Sequence, residues 1–127
     1  MLDTIPNGLP KDVAKRARDG LATIVAAVRA GPDTGQGQRL LRFLASLYNS
    51  YDFSFPLAEL RGLDDKLAKA CIDVLDLDRH GISEIQNWDV ITGRELERRF
   101  TDAGLYEELE QRREFERFSK KSRPIRP

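Results

Sequence analysis

One acidic segment, beginning at Asp76, has the residue spacing that opens a calcium-binding loop. An EF-hand loop needs oxygen ligands at its positions 1, 3 and 5, a glycine at position 6 and a bidentate glutamate at position 12. Asp76, Asp78 and Gly81 fit positions 1, 3 and 6, whereas His80 stands at position 5 and Asn87 at position 12. Because His80 is a poor ligand for a hard cation and the Asn87 amide cannot replace a bidentate carboxylate, the pattern favours an acidic helix end followed by a glycine cap.

The chain has one cysteine, Cys71, and one histidine, His80. They could form a nucleophile–base pair, but Cys71 falls on the apolar face of its helix, where a free cysteine packs as a small hydrophobic side chain. A single Cys and a single His also fall short of the ligand sets that hold structural zinc. Phosphate-binding glycine loops and the G-x-S-x-G and H-E-x-x-H motifs are missing from the sequence. We therefore expect a non-enzymatic protein with no catalytic residue, cofactor or metal site.

Basic residues are the remaining candidates for contact with a ligand. The net charge is zero, yet residues 111–127 hold seven basic side chains against only Glu114 and Glu116. A basic end on an acidic body favours contact with a polyanion. A second basic group lies earlier in the chain, in the helix that is expected to start after Thr92. The candidate polyanion contacts are Arg94, Arg98, Arg99, Lys120, Lys121, Arg123 and Arg126.

Two interpretations of these basic residues stay open. If two short helices and a sharp turn precede the second group, its arginines would lie where a helix-turn-helix protein reads the major groove. Glu95 and Glu97 interleave with them, however, and a face of mixed charge is more often simply solvated. The basic terminus would either bind nucleic acid weakly and in a salt-dependent way or remain a solvated end.

Half of the ten aromatic residues fall between Phe43 and Phe55. Exposed rings bordered by arginine or lysine would suit stacking on single-stranded nucleic acid. Few basic residues lie nearby, and Asp52 sits inside the segment. We therefore expect these rings to pack in the core, with an extended aromatic loop around residues 50–56, where apolar and polar residues alternate.

Apolar residues recur at three- and four-residue steps through most of the chain, which predicts an all-α fold of five or six helices. The first helix carries an apolar stripe and ends at Gly31-Pro32. The glycine-rich segment 32–37 predicts a hinge, so the first helix is expected to be semi-independent. Asp64 is expected to cap a central helix, and Thr92-Gly93-Arg94-Glu95 has the spacing of a capping box.

These elements divide the chain into three segments. Residues 1–38 form an N-terminal arm, helix and hinge, residues 39–105 a compact helical domain, and residues 106–127 a charged C-terminal helix with a basic tail. The predicted buried residues are Leu40, Phe43, Leu44, Leu47, Phe55, Leu60, Leu63, Leu67, Cys71, Val74, Leu96 and Phe100.

Composition agrees with a single domain, since 127 residues of which 40% are hydrophobic and 33% charged can bury one core under a charged surface. The longest nearly apolar run, Leu21 to Val28, is far shorter than the roughly 20 residues that cross a bilayer. The first residues lack the features of a secretory signal. One cysteine cannot form an internal disulfide, which fits a reducing compartment. We expect a cytoplasmic protein that does not enter a membrane.

Residues 43–49 and 53–64 fill two letter patterns, F-L-x-x-L-Y-N and F-x-F-x-L-x-x-L-R-x-L-D. These segments resemble an uncharacterised family of small bacterial proteins carried on plasmids, integrative elements and other mobile DNA. The resemblance covers about Leu40–Leu105. The resemblance implies a mobile-element accessory protein. Because that family has no assigned activity, the resemblance supplies no site residue.

Two functions are therefore expected. The first is a helical protein-interaction or accessory module of a bacterial cell, whose partner is another protein or a second copy of the chain. Its surface would be the loop 49–64, the C-terminal tail, or an exposed apolar stripe of the first helix. The alternative is a nucleic-acid-associated protein that uses the basic tail together with Arg94, Arg98 and Arg99.

The predicted core gives a first test. Replacing Phe43 by alanine should lower the free energy of unfolding by about 3–5 kcal/mol, because the change removes a buried ring and leaves a cavity. Chemical denaturation of the two proteins measures the difference. A loss below about 1 kcal/mol, typical of a surface substitution, would mean that this face of the helix is not buried.

Overall fold

The computed structural model describes residues 11–122, with side chains through residue 120. The described residues form helices and no strand, which confirms the predicted all-α fold. The α-helices are α1 (Lys11–Ala30), α2 (Gly35–Tyr48), α3 (Asp65–Asp78), α4 (Gly93–Asp102) and α5 (Leu105–Ser122). Short 3-10 helices occupy Leu57–Gly62 and Ile85–Asn87. None of these described helices combines the length and the apolar content that a bilayer span requires.

The apolar stripe of α1 is buried along its whole length, mainly against α3 and also against α2. Its side chains join the same cluster that the other helices supply. They are Val13, Ala17, Leu21, Ile24, Val25 and Val28. The first helix is therefore part of the common core, and not the semi-independent element that the hinge suggested. Burying this stripe removes a large apolar area from water, which outweighs the freedom of a glycine-rich connection.

Gly20 lies where α1 packs directly against the backbone of α3. A Cβ atom built on Gly20 would lie 2.8 Å from the carbonyl oxygen of Ala70. From the sequence, a glycine inside a helix is a weakness of about 1 kcal/mol relative to alanine. In the fold Gly20 favours the packing of α1 on α3, because the missing side chain lets the two helix backbones come together.

The connection between α1 and α2 is shorter than the predicted hinge at residues 32–37. Thr34 caps α2, since its Oγ1 accepts a hydrogen bond from the backbone N–H of Gly37 at 2.9 Å. A side chain on Gly37 would overlap the carbonyl oxygen of Gly31. The hinge prediction is therefore wrong for residues 35–37, because the glycines there allow close packing of a helix start instead of chain freedom.

The predicted core is largely confirmed. Nine of the twelve predicted side chains are buried, while Leu47, Phe55 and Leu60 are half-buried and pack against the cluster. The largest buried side chain outside the prediction is Trp88, whose Nε1 donates a hydrogen bond to the carbonyl oxygen of Ser83 at 3.1 Å. Trp88 follows a single 3-10 turn, so no helical repeat in the sequence marks it as a core residue.

Of the two predicted helix caps, the one at Asp64 is confirmed in full and the one at Thr92 in part. Asp64 caps α3, because its Oδ1 accepts a hydrogen bond from the N–H of Leu67 at 2.9 Å. Thr92 caps α4 through the N–H of Glu95 at 3.1 Å. The second half of that capping box is wrong, since the Glu95 carboxylate turns to arginine side chains instead of the N–H of Thr92.

The close approach at Gly20 gives a second prediction. Gly20→Ala should lower the free energy of unfolding by about 1–3 kcal/mol, because the added methyl group forces α1 and α3 apart. The same change at Gly35, where the nearest neighbouring atom is 3.7 Å from the new Cβ, should be close to neutral. Urea denaturation compares the two variants, and an equal effect of both would contradict the role of Gly20.

Candidate functional site

The acidic segment that resembled a calcium loop lies at the end of α3. Asp76 is still helical, and its carboxylate lies 3.1 Å from Nε of Arg79 and 3.7 Å from Nη2 of Arg16. Within the described part of the chain, no group of three or more histidine, cysteine or acidic side chains is arranged to hold a metal ion. The carboxylate therefore joins α3 to α1 electrostatically.

Cys71 and His80, the one thiol and the one imidazole, occupy different environments. Cys71 is completely buried in the core, and burial raises the pKa of its thiol to about 12, because a thiolate is poorly solvated there. His80 is exposed in the turn after α3. At neutral pH the thiol is protonated, so Cys71 is a packing group in this fold.

The structure separates the three arginines that follow Thr92. Arg94 and Arg98 are exposed and stand one helical turn apart on α4. Arg99 turns inward, where its Nε donates to Oε2 of Glu95 at 2.7 Å and its side chain is 18% exposed. The element before α4 is the three-residue 3-10 turn Ile85–Asn87, so the pair of short helices that a helix-turn-helix arrangement would need there is not formed.

Glu95 joins the end of α1 to the start of α4. Arg29 donates two hydrogen bonds to this carboxylate, Nη2 to Oε1 at 2.7 Å and Nε to Oε2 at 3.0 Å. The Arg29 hydrogen bond, with a further contribution from Arg99, lowers the pKa of Glu95 to about 2. The two arginines are 70 residues apart in the sequence, so no local spacing predicts that they share one carboxylate.

The basic residues of the predicted tail are divided between ion pairs and solvent. Arg113 pairs with Asp52 of the aromatic loop, and Arg117 pairs with Glu110 at 3.3 Å. Arg112 and Lys120 are exposed. Lys121 belongs to α5, and the remaining candidate contacts, Arg123 and Arg126, lie outside the described residues.

The second half of α5 exposes two phenylalanines. Every side chain from Glu110 through Phe118 is exposed, and Phe115 and Phe118 are 70% and 68% exposed. Their spacing of three residues places both rings on one side of the helix, roughly opposite Arg113, which faces the body of the protein. We call these two side chains the α5 stripe. In the sequence, Phe115 and Phe118 do not follow the helical repeat set by Leu105. Their i, i+3 spacing is the signal that identifies them as neighbours on one face of the helix.

The three surfaces expected from the sequence are not equally available. The stripe of the first helix is buried, so the expectation of an exposed stripe there is wrong. Tyr51 and Leu57 expose large apolar side chains in the loop, at 96% and 73%, and the α5 stripe does so in the tail. Ile72 on α3 is a further exposed apolar side chain, at 56%, and it lies outside both segments.

The aromatic loop is ordered by Asn49 and by its inward rings. The Asn49 carbonyl oxygen accepts from the N–H of Phe53 at 3.0 Å, and its side chain donates to Asp52 at 2.9 Å. Phe55 meets Phe43 edge-on with ring centres 5.5 Å apart. Core packing of the aromatic cluster is thereby confirmed except at Tyr51, which points to solvent.

A groove of about 370 Å³ opens between this loop, the second half of α2 and the first turns of α5. Its floor is apolar, since Ala45, Phe53 and Leu105 are buried side chains. Charged side chains surround it, and they are Arg42, Glu59, Glu108 and Arg112. The arginines lie 70 residues apart in the sequence, so only the fold brings them to one place.

The chain belongs to the DUF7673 family, a family of unknown function whose model matches residues 18–104. The match includes most of α1 and ends just before α5 begins. It therefore confirms membership in an uncharacterised family over a longer range than the residues that first suggested it. No curated protein and no solved structure matches the chain.

The Glu95 site predicts a pH-dependent part of the stability. Its pKa falls from an ordinary 4.5 to about 2 on folding, so ionised Glu95 stabilises the folded state above about pH 5. This contribution is lost as the pH falls toward 2, where the carboxylate becomes protonated in the folded protein too. Urea denaturation of the wild type and of Glu95→Gln should show a stability difference that shrinks over this range.

The matched control for that experiment is Glu114→Gln on the exposed half of α5, which should follow the wild-type profile. A difference between wild type and Glu95→Gln that stays constant from pH 7 to about pH 2 would contradict the assignment of the ion pairs.

Proposed function

We propose that this protein is a non-enzymatic protein-interaction module that docks on a partner protein through the α5 stripe. The observation that carries the proposal is the exposure of Phe115 and Phe118, at 70% and 68%, on one side of a helix. Large apolar side chains that stand together on a surface are a common mark of a protein interface.

The helix itself gains little from the rest of the fold in this region. α5 has 18 residues, which corresponds to a length of about 27 Å. Leu105 in its first turn is buried, whereas every side chain from Glu110 through Phe118 is exposed. Helices without packing are marginal in water below about 12–15 residues, so a partner that covers the stripe would also stabilise the helix.

The surroundings of the stripe suit a helix that docks in a groove. In that mode of recognition the anchors recur at steps such as i, i+3 and i+4, and Phe115 and Phe118 have the i, i+3 step. Burial of each ring would contribute about 1.5–3 kcal/mol. Glu107, Glu114 and Arg112 are exposed near the same side of α5 and would form the polar rim that surrounds an interface centre.

The alternative function, association with nucleic acid, has less support in the described residues. Arg99, Arg113 and Arg117 are engaged in ion pairs with acidic side chains of the same chain. Arg94 and Arg98 on α4 and the exposed Arg112 and Lys120 on α5 are the described side chains on which this alternative rests. It predicts binding that weakens steeply with salt and does not depend on the phenylalanines.

The biological setting is part of the same proposal. We propose that the module is a cytoplasmic accessory protein of bacteria, encoded on a mobile element. The resemblance of residues 43–49 and 53–64 to proteins carried on such elements supports this setting. A single cysteine, held as a buried thiol, is compatible with a reducing compartment.

The proposal predicts that the double variant Phe115→Ser/Phe118→Ser loses its partner while it keeps its fold. Tagged full-length wild type and variant are used to capture proteins from nuclease-treated lysate of the native cells, and the recovered partner is quantified with purified components. Removal of two anchors of about 1.5 kcal/mol each should weaken binding roughly 100-fold.

Ile72→Ser is the matched control, because it removes another exposed apolar side chain, 56% exposed and outside the stripe. It should retain wild-type affinity, and circular dichroism should show unchanged melting for both variants. Equal capture by wild type and the double variant would contradict the docking role of α5. Salt-sensitive nucleic-acid binding that survives the double variant would support the alternative instead.

A further inference from the structure

The groove beneath the aromatic loop is distinct from the α5 stripe. Its volume of about 370 Å³ falls within the range of roughly 300–1,000 Å³ that small-molecule sites occupy. Four segments build it, namely the second half of α2, the loop at residues 53–56, the 3-10 helix Leu57–Gly62 and the first eight residues of α5. A site that several elements enclose in this way is a candidate for a ligand and not merely a surface irregularity.

The floor of the groove is preformed and apolar. Ala45 is fully buried, and Phe53 and Leu105 are 7% and 5% exposed. The Phe53 ring is fixed by an edge-to-face contact with Tyr106, with ring centres 5.6 Å apart. Pro56 adds an apolar wall. Such a surface can receive a small apolar body without rearrangement of the core.

The rim has an excess of one positive charge when Arg39, which pairs with Glu59 from outside the groove, is counted with the four charged side chains that line it. Glu59 is matched by Arg39, whose Nε lies 2.9 Å from its carboxylate. Glu108 is matched by Arg42, and these two hydrogen bonds are 3.3 and 3.4 Å long. Charge-assisted hydrogen bonds are usually about 2.7–2.9 Å, so Glu108 holds Arg42 weakly. Arg112 forms no ion pair with any other described residue, which leaves one cation unmatched.

We propose that this groove binds a small monocarboxylate with an apolar body. The carboxylate would lie at the rim within reach of Arg42 and Arg112, since a planar guanidinium is suited to paired hydrogen bonds with carboxylate oxygens. The apolar body would rest on the Phe53 and Leu105 side chains. A monoanion matches the single excess charge, and the exposed Ser54 at the rim offers an additional hydroxyl.

The test uses phenylacetate and its neutral counterpart phenylacetamide as probes of the full-length protein. Nuclear magnetic resonance titration should show amide shifts around Ala45, Phe53 and Leu105 with both probes. Phenylacetate should bind at least about ten-fold more tightly than the amide. Arg112→Gln should remove about ten-fold of the phenylacetate affinity and leave phenylacetamide unchanged.

Two further variants separate this site from other effects. Arg94→Gln removes an exposed arginine on α4, outside the groove, and should leave both affinities at their wild-type values. Ser54→Trp should fill the groove from its exposed rim and abolish binding of both probes. Because the groove does not include the α5 stripe, Phe115→Ser/Phe118→Ser should bind phenylacetate as the wild type does.

Equal binding of acid and amide would overturn the proposal, since recognition would then not involve the excess charge. Unchanged phenylacetate binding by Arg112→Gln would overturn it as well. So would the absence of shifts at the groove residues at probe concentrations up to about 10 mM, where even a dissociation constant in the millimolar range is detectable.

Discussion

The close packing of α1 on α3 is the constraint from which the rest of the structure follows. At Gly20 the backbone of α3 occupies the space that a side chain would need, so a larger residue there would push the two helices apart. The whole apolar stripe of α1 is buried as a result. An N-terminal helix that sequence patterns set apart from the domain is in this way built into its centre.

The position of α1 in turn fixes the later helices. Its last turn carries Arg29 to the carboxylate of Glu95, which also holds Arg99, and this network ties α1 to the start of α4. Gly104, with a φ of 76°, then turns the chain from α4 into α5. Leu105 anchors the first turn of α5, and the Arg113–Asp52 ion pair holds the helix beside the aromatic loop. The arrangement encloses the groove and leaves the α5 stripe in solvent.

Local signals predicted the helices well, because helical periodicity and caps depend on residues a few positions apart. Asp64 and Thr92 were identifiable as caps for this reason. Trp88 was not identifiable as a core residue, since it follows a turn without any repeat. The glycines of segment 35–37 predict a hinge, because glycine is typical both of flexible chain and of close backbone contacts. The carbonyl oxygen of Gly31 lies where a side chain on Gly37 would be, and this contact is visible only in the structure.

The candidate sites were less accessible to sequence reasoning than the fold. Arg94, Arg98 and Arg99 appear equivalent in the sequence, yet the third turns inward to the carboxylate of Glu95, which the distant Arg29 also holds. The groove depends on residues from α2 and α5 that have no common motif. Exposed phenylalanines in a charged helix were the one part of the interaction surface that spacing alone could indicate.

The central claim is that a tightly packed core leaves the second half of α5 without cover. Hydrogen–deuterium exchange of the isolated full-length protein tests it directly, because amides in unpacked helix open without global unfolding. Amides of residues 111–120 should exchange orders of magnitude faster than those of Leu21–Val28 in α1. Protection of α5 equal to that of α1 at low protein concentration would contradict the account, since it would show the helix to be packed within its own domain.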